Sequence, residues 1–204
     1  MDRGGGGGYA LAVGSVKGAS LSPSPNEIAH LTLVLGGARS GKSRYAQALL
    51  AGARPEAGPG SLVYVATGSA GDGEMALRIA RHRAERGPAW ETIEVPLDLA
   101  DALARAGDRP VLVDCLTLWL ANLMLGEHDV AAGIAALEAA LARRRAATVL
   151  VGNEVGLGIV PDNALARRFR DEAGLLHQRL AARAARVVLM AAGLPLVLKG
   201  EQAR

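Results

Sequence analysis

The sequence predicts an α/β protein with a mostly parallel central sheet flanked by helices. Three observations carry that prediction. From residue 31 onward, short apolar runs alternate with helix-patterned segments, the signature of parallel strands joined by crossover helices. Apolar residues make up 50% of the chain but aromatics only 3%, so Leu, Val and Ala supply the core, as strands covered on both faces require. At 204 residues the chain is long enough for one sizeable core and too short for two.

Taken in order, residues 1–28 open with a glycine run at 4–8 and continue with Ser and Pro. They lack the basic start and long apolar region of a secretory signal and are expected to form a disordered tail, leaving 29–204 as the domain. Strands are expected at 31–36, 62–66, 92–95, 111–114, 147–152 and 186–191, with an antiparallel extension at 194–199. Helices are expected from about Lys42, Glu74, Leu97, Thr117, Val130 and Asn163. In the fifth, Ile134, Leu137 and Leu141 fall at three- and four-residue spacing and share one face. Pro55, Gly58, Pro59 and Gly60 mark a surface connection between the first helix and the second strand.

Charge and cysteine usage narrow the class. The net charge of +3 comes almost wholly from arginines scattered over several helices, which suits phosphate-bearing small molecules as well as nucleic acid. Few aromatics are available to stack bases and lysine clusters are absent, so a recombinase-like ATPase acting on single strands is disfavoured and no nucleic-acid partner is expected. The one cysteine, Cys115, excludes an intramolecular disulfide and reads as a small buried hydrophobe. The stretch around Trp119 is interrupted by Asp114 and Asn122, no apolar run is long enough to span a bilayer, and a cytoplasmic location is expected.

The strongest local signal is Gly36, Gly37, Ala38, Arg39, Ser40, Gly41, Lys42 and Ser43, which has the spacing Gly, four residues, Gly, Lys, Ser between an apolar strand and a helix. Glycines let the backbone turn its N–H groups around phosphates, and the helix N-terminus adds partial positive charge. The only lysines are Lys17, Lys42 and Lys199. Lys42 is placed to reach the β- and γ-phosphates of a nucleoside triphosphate, and the Ser43 hydroxyl to ligate Mg²⁺. Such a cation also needs a carboxylate at the end of a neighbouring strand, and Val111-Leu112-Val113-Asp114 supplies one. These features predict a P-loop NTPase of RecA-like type, a fold shared by many kinases, transferases and motor-like ATPases.

A charged helical segment follows the second strand, in which Glu74, Arg78 and His82 recur every four residues and share a face. With that segment the chain is similar to the bifunctional adenosylcobinamide kinase/adenosylcobinamide-phosphate guanylyltransferases of cobalamin biosynthesis. The resemblance spans 31–199 and rests on five ordered segments. They are GGARSGKS at 36–43; Val65-Ala66-Thr67-Gly68; the His82 helix with Trp90 after it; Asp114-Cys115-Leu116-Thr117 with Trp119 and Asn122; and 153–161, from Asn153-Glu154 to Pro161, continuing through Asn163, Arg167, Phe169-Arg170-Asp171 and Gln178.

The resemblance implies two reactions: ATP or GTP phosphorylates adenosylcobinamide, then GMP passes from GTP to adenosylcobinamide phosphate with release of pyrophosphate. It implies that His82 carries GMP covalently, and that Ala66, Thr67, Gly68, Arg83, Ala84, Glu85, Arg86, Glu94 and Asp114 contact nucleotide. Glu94 would pair with guanine N–H groups. Asn153 and Glu154 would lie on the substrate side or beside the metal, and the family's trimers imply a homotrimer. The chain departs from the pattern at His177, where Asn is expected, and at Gly68, where a small hydroxyl residue is frequent; neither position enters the implied chemistry. A monofunctional small-molecule kinase would explain the loop 36–43 but not the match around His82.

Overall fold

Seven strands form one sheet in the order β3-β2-β4-β5-β1-β6-β7 in the computed structural model, which describes residues 30–68 and 86–200. The strands are β1 (Leu31–Gly36), β2 (Leu62–Ala66), β3 (Trp90–Glu94), β4 (Val111–Asp114), β5 (Thr148–Asn153), β6 (Arg186–Ala191) and β7 (Leu194–Lys199). All pairings are parallel except β6 with β7, the extension the sequence predicts. The expected strands at 92–95 and 147–152 begin two residues earlier and one residue later, respectively. The helix expected near Glu74 lies outside the described residues. The others are α1 (Lys42–Gly52), α2 (Leu99–Ala106), α3 (Leu116–Leu125), α4 (Val130–Arg143) and α5 (Ala164–Arg183).

Alternation along the strands divides the core into two layers. Leu33, Leu35, Val63, Val65, Val111, Val113 and Leu150 face α2 to α5, whereas Val34, Tyr64, Leu112, Val149, Val151 and Val188 face α1. Three helices start on side chains that accept the backbone N–H three residues further on. Asp98 caps α2, Asp129 caps α4 and Asn163 caps α5. No helix among the described residues is long and apolar enough to cross a membrane.

Two ionic features tie the outer layer. Arg144, just after α4, is 8% exposed, and its guanidinium donates to the carbonyls of Leu103, Gly107 and Arg109 and to Thr148 Oγ1 at 2.7–3.0 Å. Glu138 on α4 accepts from Arg179 on α5 at 3.0 and 2.6 Å, with Arg183 at 3.4 Å. The Arg179 hydrogen bonds, then the Arg179 and Arg183 charges, hold the Glu138 carboxyl below the usual carboxylate range. A depressed folded pKa stabilises above the unfolded value near 4.3, and that contribution fades as pH falls through the folded one. Both arginines are half-exposed, so Glu138→Gln is expected to cost roughly 1 kcal/mol at pH 7. Urea unfolding at a series of pH values from pH 7 downward checks this: the gap between wild type and variant narrows as the pH falls below the unfolded carboxylate value and through the folded one.

Candidate nucleotide and phosphoryl-transfer site

The parallel arrangement brings the C-terminal ends of six strands to one edge, in the order Glu94, Ala66, Asp114, Asn153, Gly36, Ala191. Ligands of open α/β sheets bind along this edge. The loop 36–43 leaves it between β1 and α1, with Gly37, Ala38 and Arg39 exposed and Ser43 half-buried. Gly36 must be glycine because a Cβ there would lie 2.8 Å from the Met190 carbonyl oxygen and 2.5 Å from Ser40 Oγ. Gly41, the N-cap of α1, has a left-handed φ of 89° that other residues adopt only at a cost. Lys42 is 8% exposed, and its Nζ curls back to donate to the Gly37 carbonyl at 3.0 Å, which holds the ammonium over the loop.

Two neighbours brace this loop. The Glu154 N–H donates to the Gly36 carbonyl at 3.0 Å, and the Gly193 N–H donates to the Ser40 carbonyl at 3.1 Å. The second contact comes from the two-residue turn between β6 and β7, where Ala192 and Gly193 both have positive φ, as a tight hairpin requires.

Asp114 does not end a strand adjacent to β1. β5 stands between β4 and β1, so the carboxylate is two strand spacings from Gly36, about 10 Å across the sheet. Asn153 ends the intervening strand, level with Gly36, and donates from Nδ2 to Thr117 Oγ1 at 2.8 Å. The neighbouring-strand expectation is corrected here: strand order depends on which crossover follows which strand, and a local pattern does not encode it.

The Asp114 surroundings are densely bonded. Tyr64 donates its hydroxyl to Asp114 Oδ2 at 2.9 Å, while Oδ1 accepts no hydrogen bond from the described residues. The Arg86 guanidinium lies 3.7 Å over the Tyr64 ring and donates to Thr92 Oγ1 at 3.2 Å, and Trp90 meets the ring edge-on. Burial foremost, then the Asp114 charge, pushes the Tyr64 phenol far above its ordinary value, so it stays a proton donor. The Asp114–Cys115 peptide is cis. Thr67 Oγ1 accepts from the Cys115 N–H at 2.8 Å and donates to its carbonyl at 2.7 Å, and Asn122 Nδ2 donates to the Thr67 carbonyl at 2.9 Å. Cys115 itself is a buried free thiol, as read from the sequence; burial and then Asp114 push its pKa up.

Of the residues the sequence points to, the structure gathers loop 36–43, Ala66, Thr67, Gly68 and Asp114 on one edge. Thr67 is fully buried with its hydroxyl committed to Cys115, and Arg86 is committed to Tyr64 and Thr92. Glu94 is exposed at the end of β3, four strand spacings, roughly 19 Å, from Gly36. His82, Arg83, Ala84 and Glu85 lie outside the described residues. His177 is 6% exposed on α5, its pKa lowered by burial, and packs against Gly152, where a Cβ would come within 2.6 Å of Nε2. Tyr64 was not read from the sequence as functional. Its signal was the strand alternation that puts it on the same face as Ala66 and, across β4, Asp114.

Ser43 and Asp114 offer a hydroxyl and a carboxylate, both hard oxygen donors. No cluster of three or more His, Cys, Asp or Glu that could hold a metal occurs among the described residues. That donor set suits Mg²⁺, which keeps waters and takes much of its shell from substrate phosphates.

Residues 32–198 match the family model described as cobinamide kinase / cobinamide phosphate guanyltransferase. The chain belongs to this family. It is accordingly a bifunctional enzyme, a cobinamide kinase and a cobinamide phosphate guanylyltransferase. It is 51% identical over 180 residues to the bifunctional adenosylcobalamin biosynthesis protein CobP of Pseudomonas aeruginosa, with 83% of this chain and 97% of that protein covered. It is 42% identical over 186 residues to the corresponding CobU of Salmonella typhimurium, covering 83% and 99%. Among solved structures it is similar to a KaiC-like protein from Pyrococcus horikoshii OT3, with a TM-score of 0.51, 14% identity and 90% and 82% of the two chains covered. That likeness bears on the fold alone and agrees with the P-loop NTPase architecture.

Proposed function

We propose that the two activities use one triphosphate cradle, the loop 36–43, and that His82 carries GMP between them. The observation that supports this most is the braced loop with Lys42 folded over it, in a chain that matches the family from 32 to 198. In the kinase step the hydroxyl of the aminopropanol arm of adenosylcobinamide attacks the γ-phosphorus of ATP or GTP. The bond from that phosphorus to the β,γ-bridging oxygen breaks, the hydroxyl proton passes to water, and the nucleoside diphosphate leaves. Lys42 and the loop N–H groups bind the β- and γ-phosphates and offset the charge that spreads over the transferring group.

In the second step an imidazole nitrogen of His82 attacks the α-phosphorus of GTP and expels pyrophosphate. An unperturbed imidazole is largely neutral at pH 7 and needs no separate base for this attack. A phosphate oxygen of adenosylcobinamide phosphate then displaces the histidine, giving adenosyl-GDP-cobinamide. Mg²⁺, when bound, neutralises phosphate charge and orients the triphosphate; Ser43 and Asp114 are the side chains to hold it. Glu94, at the far end of the edge, would read guanine only if the nucleotide runs along the strand ends. Ala66, Gly68 and the segment 83–86 would line that path. We place the enzyme in the cytoplasm as a homotrimer with no nucleic-acid partner. A monomer in a solution size measurement would overturn the trimer.

The test of the mechanism is retention of label. Wild-type protein with Mg²⁺ and GTP labelled at the α-phosphate is expected to keep acid-labile, alkali-stable label. With γ-labelled GTP, or with His82→Ala, it is expected to keep none. A folded, GTP-binding wild type that takes up no α-label would refute the histidine intermediate.

A further inference from the structure

The Asp114 carboxylate is held by a residue that neither the phosphate-loop pattern nor the histidine segment points to. We propose that Tyr64 is the positioning residue of the metal–triphosphate site, clamping Oδ2 of Asp114 so that Oδ1 faces a divalent cation bound with the nucleotide. The inference rests on the reading of Asp114 as a metal ligand.

Strand register makes the contact possible. Tyr64 pairs with Leu112 and Ala66 with Asp114, so Tyr64 lies on the same sheet face as Asp114 but two residues back from the edge. Two residues of strand span about 6.6 Å, a gap that a phenol ring directed along the strand can bridge. The hydroxyl arrives within 2.9 Å of Oδ2. That face is the one packed by α1, whose first turn carries Lys42 and Ser43, so the clamped carboxylate and the phosphate loop lie on the same side of the sheet.

The ring has no freedom to release the carboxylate. Tyr64 is 7% exposed, with the Arg86 guanidinium 3.7 Å above one face and Trp90 edge-on at 6.3 Å and 79°. The bond joins a phenol donor to a carboxylate acceptor, a pairing that belongs to the stronger class of hydrogen bonds. A carboxylate at a strand end without that donor rotates about χ2, and either oxygen could then turn away from the cation. Outer groups that orient metal-binding side chains commonly change metal affinity by about 10- to 100-fold.

The experiment titrates Mn²⁺ into the full-length protein saturated with a non-hydrolysable GTP analogue and follows free Mn²⁺ by electron paramagnetic resonance. Wild type, Tyr64→Phe and Asp114→Asn are compared, with melting temperature and metal-free nucleotide affinity measured on each. Phenylalanine keeps the ring, its contact with Arg86 and its packing, and removes only the hydroxyl. Tyr64→Phe is expected to weaken Mn²⁺ binding by about 10-fold or more while metal-free nucleotide affinity stays within twofold. The Mg²⁺ concentration for half-maximal kinase activity should rise in parallel. If Tyr64→Phe lowers only the melting temperature and binds Mn²⁺ as wild type does while Asp114→Asn does not, the positioning role is overturned and the Asp114 reading stands. If Asp114→Asn binds Mn²⁺ normally, the reading beneath the proposal fails with it.

Discussion

Lys42→Ala is expected to lower phosphorylation of adenosylcobinamide by roughly 10²- to 10³-fold, the usual cost of removing one preorganised electrostatic contact to a transition state. The ammonium is buried at 8% exposure and already lies over the loop, bonded to the Gly37 carbonyl, so little reorganisation is needed to meet a phosphate. The sequence contains one phosphate-loop pattern. Uptake of α-labelled GTP into His82 should therefore fall in the same variant, because the leaving pyrophosphate would occupy the same cradle. The check has two assays, phosphate transfer to adenosylcobinamide and label retention on protein, with circular dichroism to show that the variant folds. A variant that loses the first activity and keeps the second would establish two separate triphosphate sites.

Arg144→Met is expected to be the most destabilising of the changes considered, by about 3–5 kcal/mol. Methionine approximates the buried aliphatic stem but leaves the carbonyls of Leu103, Gly107 and Arg109 facing each other with no donor. These carbonyls come from the end of α2 and the approach to β4, while Thr148 Oγ1, at the start of β5, meets the guanidinium Nε at 3.0 Å. One planar cation thus closes the edge of the sheet opposite the site, at a helix C-terminus where positive charge is favoured. Arg144→Lys cannot reach all four acceptors and should recover only part of the loss. Urea unfolding at pH 7 checks both, and a shift in midpoint with an unchanged slope assigns the loss to the folded state.

What was legible in the sequence is what local pattern encodes. The apolar runs of β1, β2, β4 and β6 and the antiparallel β7 emerge at the expected residues, and loop 36–43 lies between strand and helix because its spacing demands that context. Strand order was not legible. Asp114 read as an adjacent-strand acid, yet β5 separates it from the phosphate loop, and only the path of the crossovers decides this. Tyr64 escaped notice for a related reason: a tyrosine inside an apolar strand has the appearance of core until the register shows what its hydroxyl reaches. Thr67, expected at the nucleotide, spends its hydroxyl on the Cys115 backbone, a bond between distant segments that no local pattern announces.

The order of strands also has a consequence for synthesis on the ribosome. β1, the first of the described strands in chain order, takes its place between β5 and β6, and its loop is fastened at Gly36 by Glu154 and at Ser40 by Gly193. The two fastenings come from 118 (154 − 36) and 153 (193 − 40) positions downstream of the residues they hold, so the phosphate cradle is made well before either brace. A nascent chain halted before the final hairpin would hold the complete glycine-lysine motif but lack one of its two braces.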